Sequence, residues 1–132
     1  MDLVQKLLQI DKNNARKKRR EKFRSGNMQL LVGDPEIEIQ EIDPERLTEL
    51  QTLPLDENGK YNYQQSYTAN LMTTVEGVVN PDLKNKELQA HFGVGTANDL
   101  AKLLFKAEVS NIADAITTLS SPDVIEDEEV KN

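Results

Sequence analysis

The stretch Tyr63-Gln64-Gln65-Ser66-Tyr67-Thr68-Ala69-Asn70-Leu71-Met72-Thr73-Thr74-Val75-Glu76-Gly77-Val78-Val79, followed by Asn80-Pro81-Asp82, decides the fold class. Tyr67, Leu71, Val75, Val78 and Val79 recur at helical spacing, so one side of a helix over about 63–79 is apolar. Asn80-Pro81 ends it, because proline cannot continue a helix and restricts the residue before it. Working toward the C-terminus, Leu83, Leu88 and Phe92 form a short helix opened by Asn85 and closed at Gly93. Thr96 caps the next helix, with Asp99 three residues on and Leu100, Leu103 and Leu104 as its apolar residues. Val109, Ile112, Ile116 and Leu119, at spacings of three, four and three, make the last helix, which Ser120-Ser121-Pro122 ends.

Working toward the N-terminus, Asp43-Pro44-Glu45 is a helix start, and Leu47 and Leu50 share a face before Pro54. Leu55 to Asn62 is a polar loop around Glu57-Asn58-Gly59. Glu36-Ile37-Glu38-Ile39-Gln40 alternates with period two, as a half-buried strand does. Met28-Gln29-Leu30-Leu31-Val32 is a short apolar run, and Gly33-Asp34-Pro35 is turn chemistry. The pair reads as a β-hairpin over about 28–42 that needs helices on its apolar face. The expected fold is mainly α (α+β): a small helical bundle over about 44–120 with an N-terminal β-hairpin and charged, flexible termini. The expected organisation is a segment 1–26 with an amphipathic helix and a basic arm, one globular domain over 27–120, and an acidic disordered tail over 121–132.

Charge is divided unevenly. The 132 residues carry 16 Lys+Arg and 23 Asp+Glu, a net charge of -7. Residues 1–26 nevertheless hold 9 Lys+Arg against 3 Asp+Glu, and from Ser121 onward five carboxylates face one lysine. Like charges packed together resist ordering, which is why the tail is expected to be disordered. Arg16, Lys17, Lys18, Arg19, Arg20, Lys22 and Arg24 place seven cations in nine residues. Such a run can hold nucleic-acid phosphates, but only Phe23 is interleaved for stacking and no nucleic-acid motif accompanies it. A solvated segment balancing the acidic body is the favoured reading, and nucleic acid the lesser one. Before the run, Asp2 caps a short helix whose Leu3, Val4, Leu7 and Leu8 are spaced three and four apart. It is too short to stand alone in water, so it is expected to dock on the body or on a partner.

Few chemical groups are available. With no cysteine, a disulfide framework, a thiolate metal site and a cysteine nucleophile are excluded. His91 is the one histidine, so no His-based zinc site or conventional triad can form; a partly buried structural role is expected for it. Gly93-Val94-Gly95 lacks the Lys-Ser/Thr pair and the preceding strand of a phosphate loop. Asp82, Glu87 and Asp99 sit at turns and helix starts, where capping explains them, and no calcium loop is present. Ser66, Ser110 and Ser120 have no base near them in sequence. Tyr61, Tyr63 and Tyr67 read as core packing with hydroxyls at the rim, or else as an aromatic patch. No catalytic residue, metal or cofactor is expected. No apolar run approaches the ~18 residues of a membrane span, and the N-terminus lacks a cleavage-site pattern. The cytoplasm is therefore the expected location.

One segment is more specific. Val75-Glu76-Gly77-Val78-Val79-Asn80-Pro81-Asp82-Leu83-Lys84-Asn85-Lys86-Glu87-Leu88-Gln89-Ala90-His91-Phe92-Gly93, with Thr96-Ala97-Asn98-Asp99-Leu100 and Leu103-Leu104-Phe105, resembles the hallmark segment of a phage family. That family is the XkdN-like tail assembly chaperones of contractile-tailed phages and PBSX-like defective prophages. Leu3-Val4-Gln5-Lys6-Leu7-Leu8 and the Glu-rich C-terminus ending Glu129-Val130-Lys131-Asn132 resemble it too. The resemblance implies a non-enzymatic, non-structural assembly factor. It would bind the tape measure protein in the cytoplasm of a bacterial host, keep it soluble until the tail tube forms, and be absent from the mature virion. It also implies a longer form made by frameshifting as a further partner, and oligomers are compatible with it. The candidate partner-binding residues are Leu3, Val4, Leu7 and Leu8. The dense basic run departs from what the family leads one to expect.

Overall fold

The two C-terminal apolar helices and the long central one account for most of the core. In the computed structural model, which describes residues 1–122, the elements run in the following order. They are α1 Leu3–Leu8, α2 Lys12–Arg16, β1 Arg20–Arg24, α3 Gly26–Val32, β2 Glu36–Gln40, α4 Pro44–Thr52, α5 Tyr63–Gly77, β3 Val78–Asn80, α6 Lys86–His91, α7 Ala97–Phe105 and α8 Val109–Ser120. A single 3-10 turn, Lys106–Glu108, joins α7 to α8. The fold is mainly α with a small antiparallel sheet ordered β1-β2-β3. Most of the expected tail, residues 123–132, lies outside the described residues.

α8 presents Val109, Ile112, Ala113 and Ile116 to the core, and α5 packs on it through Leu71, Thr73, Thr74 and Gly77. Gly77 allows this approach, since a Cβ there would lie 2.7 Å from Ile116 Cγ2 and 2.8 Å from Cγ1. Thr74 is fully buried, and its hydroxyl lies 2.9 Å from Asn70 O and 3.1 Å from Val109 O. That satisfies a polar group that would otherwise cost about 1–3 kcal/mol inside the core. Ile37 and Ile39 of β2 point into the same core and Glu36, Glu38 and Gln40 away from it, following the alternation of a one-sided sheet. Ser120 Oγ accepts from Ile42 N at 2.9 Å, tying the end of α8 to the chain leaving β2. Arg46 of α4 donates to both oxygens of Glu76 on α5, from Nε at 2.8 and 3.1 Å and from Nη2 at 2.9 Å.

Three expectations about local structure are corrected. Met28–Val32 is not the first strand of a hairpin but the body of α3. Ser25 caps this helix by accepting from Met28 N, and Gly33 closes it in the left-handed region at φ 74°. The capping signals outweigh the apolar run, which fits a strand and a buried helix equally well. The antiparallel partner of β2 is instead β1, which lies within the basic run, with Arg20 opposite Gln40 and Arg24 opposite Glu36. A segment read as an arm outside the domain thus supplies a strand of its sheet. The central helix also ends earlier than expected, at Gly77, because Val78–Asn80 leaves it to form β3, with Val78 opposite Ile39.

Candidate functional site

The polar candidates are not gathered into a site. Among the described residues, no three His, Asp or Glu side chains are grouped so as to hold a metal ion. His91 is exposed rather than partly buried and stands edge-on to Phe92, with ring centroids 5.0 Å apart. Gly93 terminates α6 at φ 70° and carries no phosphate loop. Tyr61, Tyr63 and Tyr67 are exposed, not core, and Tyr61 meets Tyr63 edge to face at 5.0 Å. The Tyr61 hydroxyl donates to Ser66.

Most of the basic run is held by carboxylates. Lys18 pairs with Asp43 at 3.7 Å, Arg19 with Glu41 at 2.6 Å, Arg20 with Glu38 at 3.1 Å and Lys22 with Glu36 at 3.3 Å. Each exposed pair is worth only about 0.2–1 kcal/mol, but together they fix the register of a strand with one half-buried apolar residue, Phe23. The charge is therefore matched across the sheet, which leaves Arg16, Lys17 and Arg24 as the run's cations without an ion pair among the described residues. The arrangement suits a sheet edge better than a phosphate-binding surface. Arg46, bonded to Glu76 and then to Glu49, is held even further above its already high pKa and stays charged at any accessible pH.

What the fold does assemble is an apolar groove of about 430 Å³. Met28, Leu31 and Val32 of α3 line one part, Leu88 of α6 and Phe92 at its C-cap another, and Ile37, Pro81 and Leu104 complete the apolar lining. Asp34 and Glu36 mark its polar rim. Leu30, Leu31 and Val32 are 55–86 % exposed, so the α3 part of the lining extends onto the surface as an apolar strip. α3 is seated there by its N-terminus: Glu108 accepts from Gly26 N at 2.9 Å and from the buried Ser25 hydroxyl. Asn27 Nδ2 donates to Phe105 O at the end of α7. α6 is seated by Gln89, a buried side chain whose Nε2 donates to Leu83 O at 2.8 Å. Asn80 and Pro81, in the turn that follows β3, complete the lining. The lining comes from five separate stretches of chain, so no local sequence pattern could have disclosed the groove.

The sequence candidates Leu3, Val4, Leu7 and Leu8 lie on α1, where each is 64–80 % exposed. Asp2 and Gln5 form a complete capping box, with Gln5 N donating to Asp2 Oδ1 at 2.8 Å and Asp2 N to Gln5 Oε1 at 3.0 Å. All of residues 1–22 are exposed, so α1 does not dock on its own body, one of the two alternatives the sequence offered.

The domain is mainly helical, with an open apolar groove between α3 and α6 and an exposed amphipathic helix at its N-terminus. The family description "Phage XkdN-like tail assembly chaperone protein" matches residues 4–131 of the chain. The chain belongs to this family of phage tail assembly chaperones. No curated protein matches it. Among solved structures, the crystal structure of the protein yqbn is similar, with a TM-score of 0.55 at 20% identity, covering 79% of this chain and 87% of that one. At that identity the likeness speaks for the fold alone.

Proposed function

We propose that the chain binds an apolar helical stripe of the phage tape measure protein in the groove between α3 and α6 and keeps that client soluble while the tail tube assembles. It acts without catalysis, in the host cytoplasm, and is absent from the mature virion. The observation that carries the reading is the groove itself: Leu31, Val32, Phe92 and Leu88 offer apolar surface that an isolated domain gains nothing by exposing. Burying one such side chain contributes about 1.5–3 kcal/mol, and association costs offset much of the sum. Each copy therefore holds its client weakly, and several copies along a long client hold it well. A frameshifted longer form would present the same groove. The net charge of -7 keeps the loaded complex dispersed.

The test is co-expression with the tape measure protein of the same tail gene cluster. Wild-type protein should bring the client into the soluble fraction as a multi-copy complex. The double substitution Leu31→Asp, Val32→Asp should abolish that recovery while the circular dichroism of the free protein is unchanged, since both side chains are exposed. A client that stays insoluble with wild-type protein, or a soluble complex that survives the double substitution, would overturn the assignment.

A further inference from the structure

The two charged ends of the chain are rooted side by side. Glu41 N donates to Arg19 O at 3.0 Å. One residue on, Ile42 N donates to Ser120 Oγ at 2.9 Å. Consecutive residues thus hold the root of the N-terminal segment and the end of α8. The chain leaves the described domain at Ser121-Pro122, beside the place where Lys17-Lys18-Arg19 enters β1. Residues 123–132 beyond it carry Asp123, Glu126, Asp127, Glu128 and Glu129 against Lys131.

The N-terminal segment offers these carboxylates free cations. α2 places Lys12 and Arg16 four residues apart, on one face of the helix, and Lys17 follows at its C-cap. All three are exposed. None has an ion pair among the described residues, whereas Lys18, Arg19, Arg20 and Lys22 are each held by a carboxylate of the body. The one nearby carboxylate, Asp11, is engaged as the cap of α2, accepting from Asn13 N at 2.9 Å. An extended chain covers at most about 3.3–3.6 Å per residue, so Glu126 lies within roughly 20 Å of Ser120 and Arg16 within roughly 10 Å of Arg19. The acidic end is therefore long enough to reach these cations. It is also tethered closely enough for a high effective concentration there. A single exposed ion pair contributes little, but several carried on one short tether act together.

We infer that Glu126, Asp127, Glu128 and Glu129 sit over Lys12, Arg16 and Lys17 of the same chain, an internal latch between its acidic and basic ends. The latch closes the basic arm to nucleic acid, whose phosphates those cations would otherwise hold. It lies at the Arg20 end of the sheet, whereas the groove is lined by Asp34 and Glu36 at the opposite end of β2. It needs no client, so its outcome is separate from that of the chaperone assignment.

The test uses the full chain and a carbodiimide, which joins a carboxylate to an adjacent lysine amine. Unlabelled and heavy-nitrogen-labelled protein are mixed, crosslinked and mapped by mass spectrometry. Crosslinks from residues 126–129 to Lys12 and Lys17 should fall within one chain and exceed those to the exposed Lys60 and Lys102 by about tenfold. They should fall to the control level in about 0.5 M NaCl. Arg16→Glu keeps both reactive lysines but reverses a charge between them, and should lower their yield about threefold or more. In parallel, the variant Glu126→Gln, Asp127→Asn, Glu128→Gln, Glu129→Gln is titrated with a short single-stranded DNA. It should bind about tenfold more tightly than a chain of equal net charge neutralised at the exposed Glu45, Glu57, Glu87 and Asp114. Equal crosslinking at all lysines, crosslinks joining labelled to unlabelled chains, or a yield untouched by Arg16→Glu would each overturn the inference. So would equal DNA affinity in the two neutralised variants.

Discussion

Replacing Gly77 with alanine adds a single methyl group at the point where α5 meets α8. The new Cβ would stand 2.7 Å from Ile116 Cγ2, 2.8 Å from Cγ1 and nearer still to Cδ1. Cγ1 and Cγ2 are both bonded to Cβ, so a rotation about the Cβ–Cγ1 bond moves only Cδ1 away. Ile116 has no solvent to move into, being fully buried at the centre of the core. Overpacking of this kind costs about 1–3 kcal/mol. Alanine recovers at most about 1 kcal/mol of helix propensity, and less at the last residue of a helix. The expected net loss is about 1–2 kcal/mol, which for a chain of this length is a fall in Tm of roughly 3–10 °C. Urea unfolding followed by circular dichroism at 222 nm reads it. Ile116→Ala alone should cost about 2–5 kcal/mol by leaving a cavity. In the double variant the alanine methyl fills part of that cavity, so the costs should fall short of additive by about 1 kcal/mol or more. If Gly77→Ala is as stable as wild type, or if the two costs add within about 0.5 kcal/mol, the close approach of α5 and α8 is wrong.

Two further predictions concern the elements that hold the groove. Glu108→Ala removes the carboxylate that receives Ser25 Oγ and Gly26 N at the start of α3; stability should fall by about 2–3 kcal/mol, and hydrogen exchange should speed up first in the α3 amides. Lys106, the first residue of the 3-10 turn that follows α7, is the one non-glycine residue with positive φ among the described residues, at 53°. Relief of roughly 1–3 kcal/mol of backbone strain less the entropy of glycine makes Lys106→Gly more stable by about 0.5–1 kcal/mol, whereas Lys106→Ala should gain nothing in the same thermal melt.

Much of the helical part of the fold is legible residue by residue. Asn85 accepts from Leu88 N at 2.9 Å and Thr96 from Asp99 N at 3.1 Å, as their positions before apolar helical patterns require. Asp2 caps α1 as read, and Glu36–Gln40 is a strand with its isoleucines inward. Asp43 precedes Pro44 at the start of α4 but makes no capping bond. The strand Arg20–Arg24 was not legible, because one phenylalanine among cations carries no period-two apolar signal. Its only trace is the matching set of Glu36, Glu38 and Glu41, which becomes meaningful once a register exists. α3 is not legible as a helix although Ser25 and Gly33 bracket it, because the short apolar run Met28, Leu30, Leu31 and Val32 satisfies both periods. Of the candidate site, the apolar stripe of α1 was visible, and the groove was not.

Local interactions are written in adjacent residues, so the sequence by itself determined the caps, the helical stripes, the proline stops and the absence of thiol chemistry. It also determined membership in the tail assembly chaperone family, since the resemblance runs through contiguous segments. Tertiary structure alone decided that the basic run becomes a strand, because the ion pairs that hold it join residues about twenty positions apart. It decided that Val78–Asn80 abandons a helix for a sheet, because Ile39 offers Val78 a buried neighbour that solvent does not. And it decided the groove, whose walls are brought together only when α3, the Pro81 turn, α6 and α7 bury their other faces in one core.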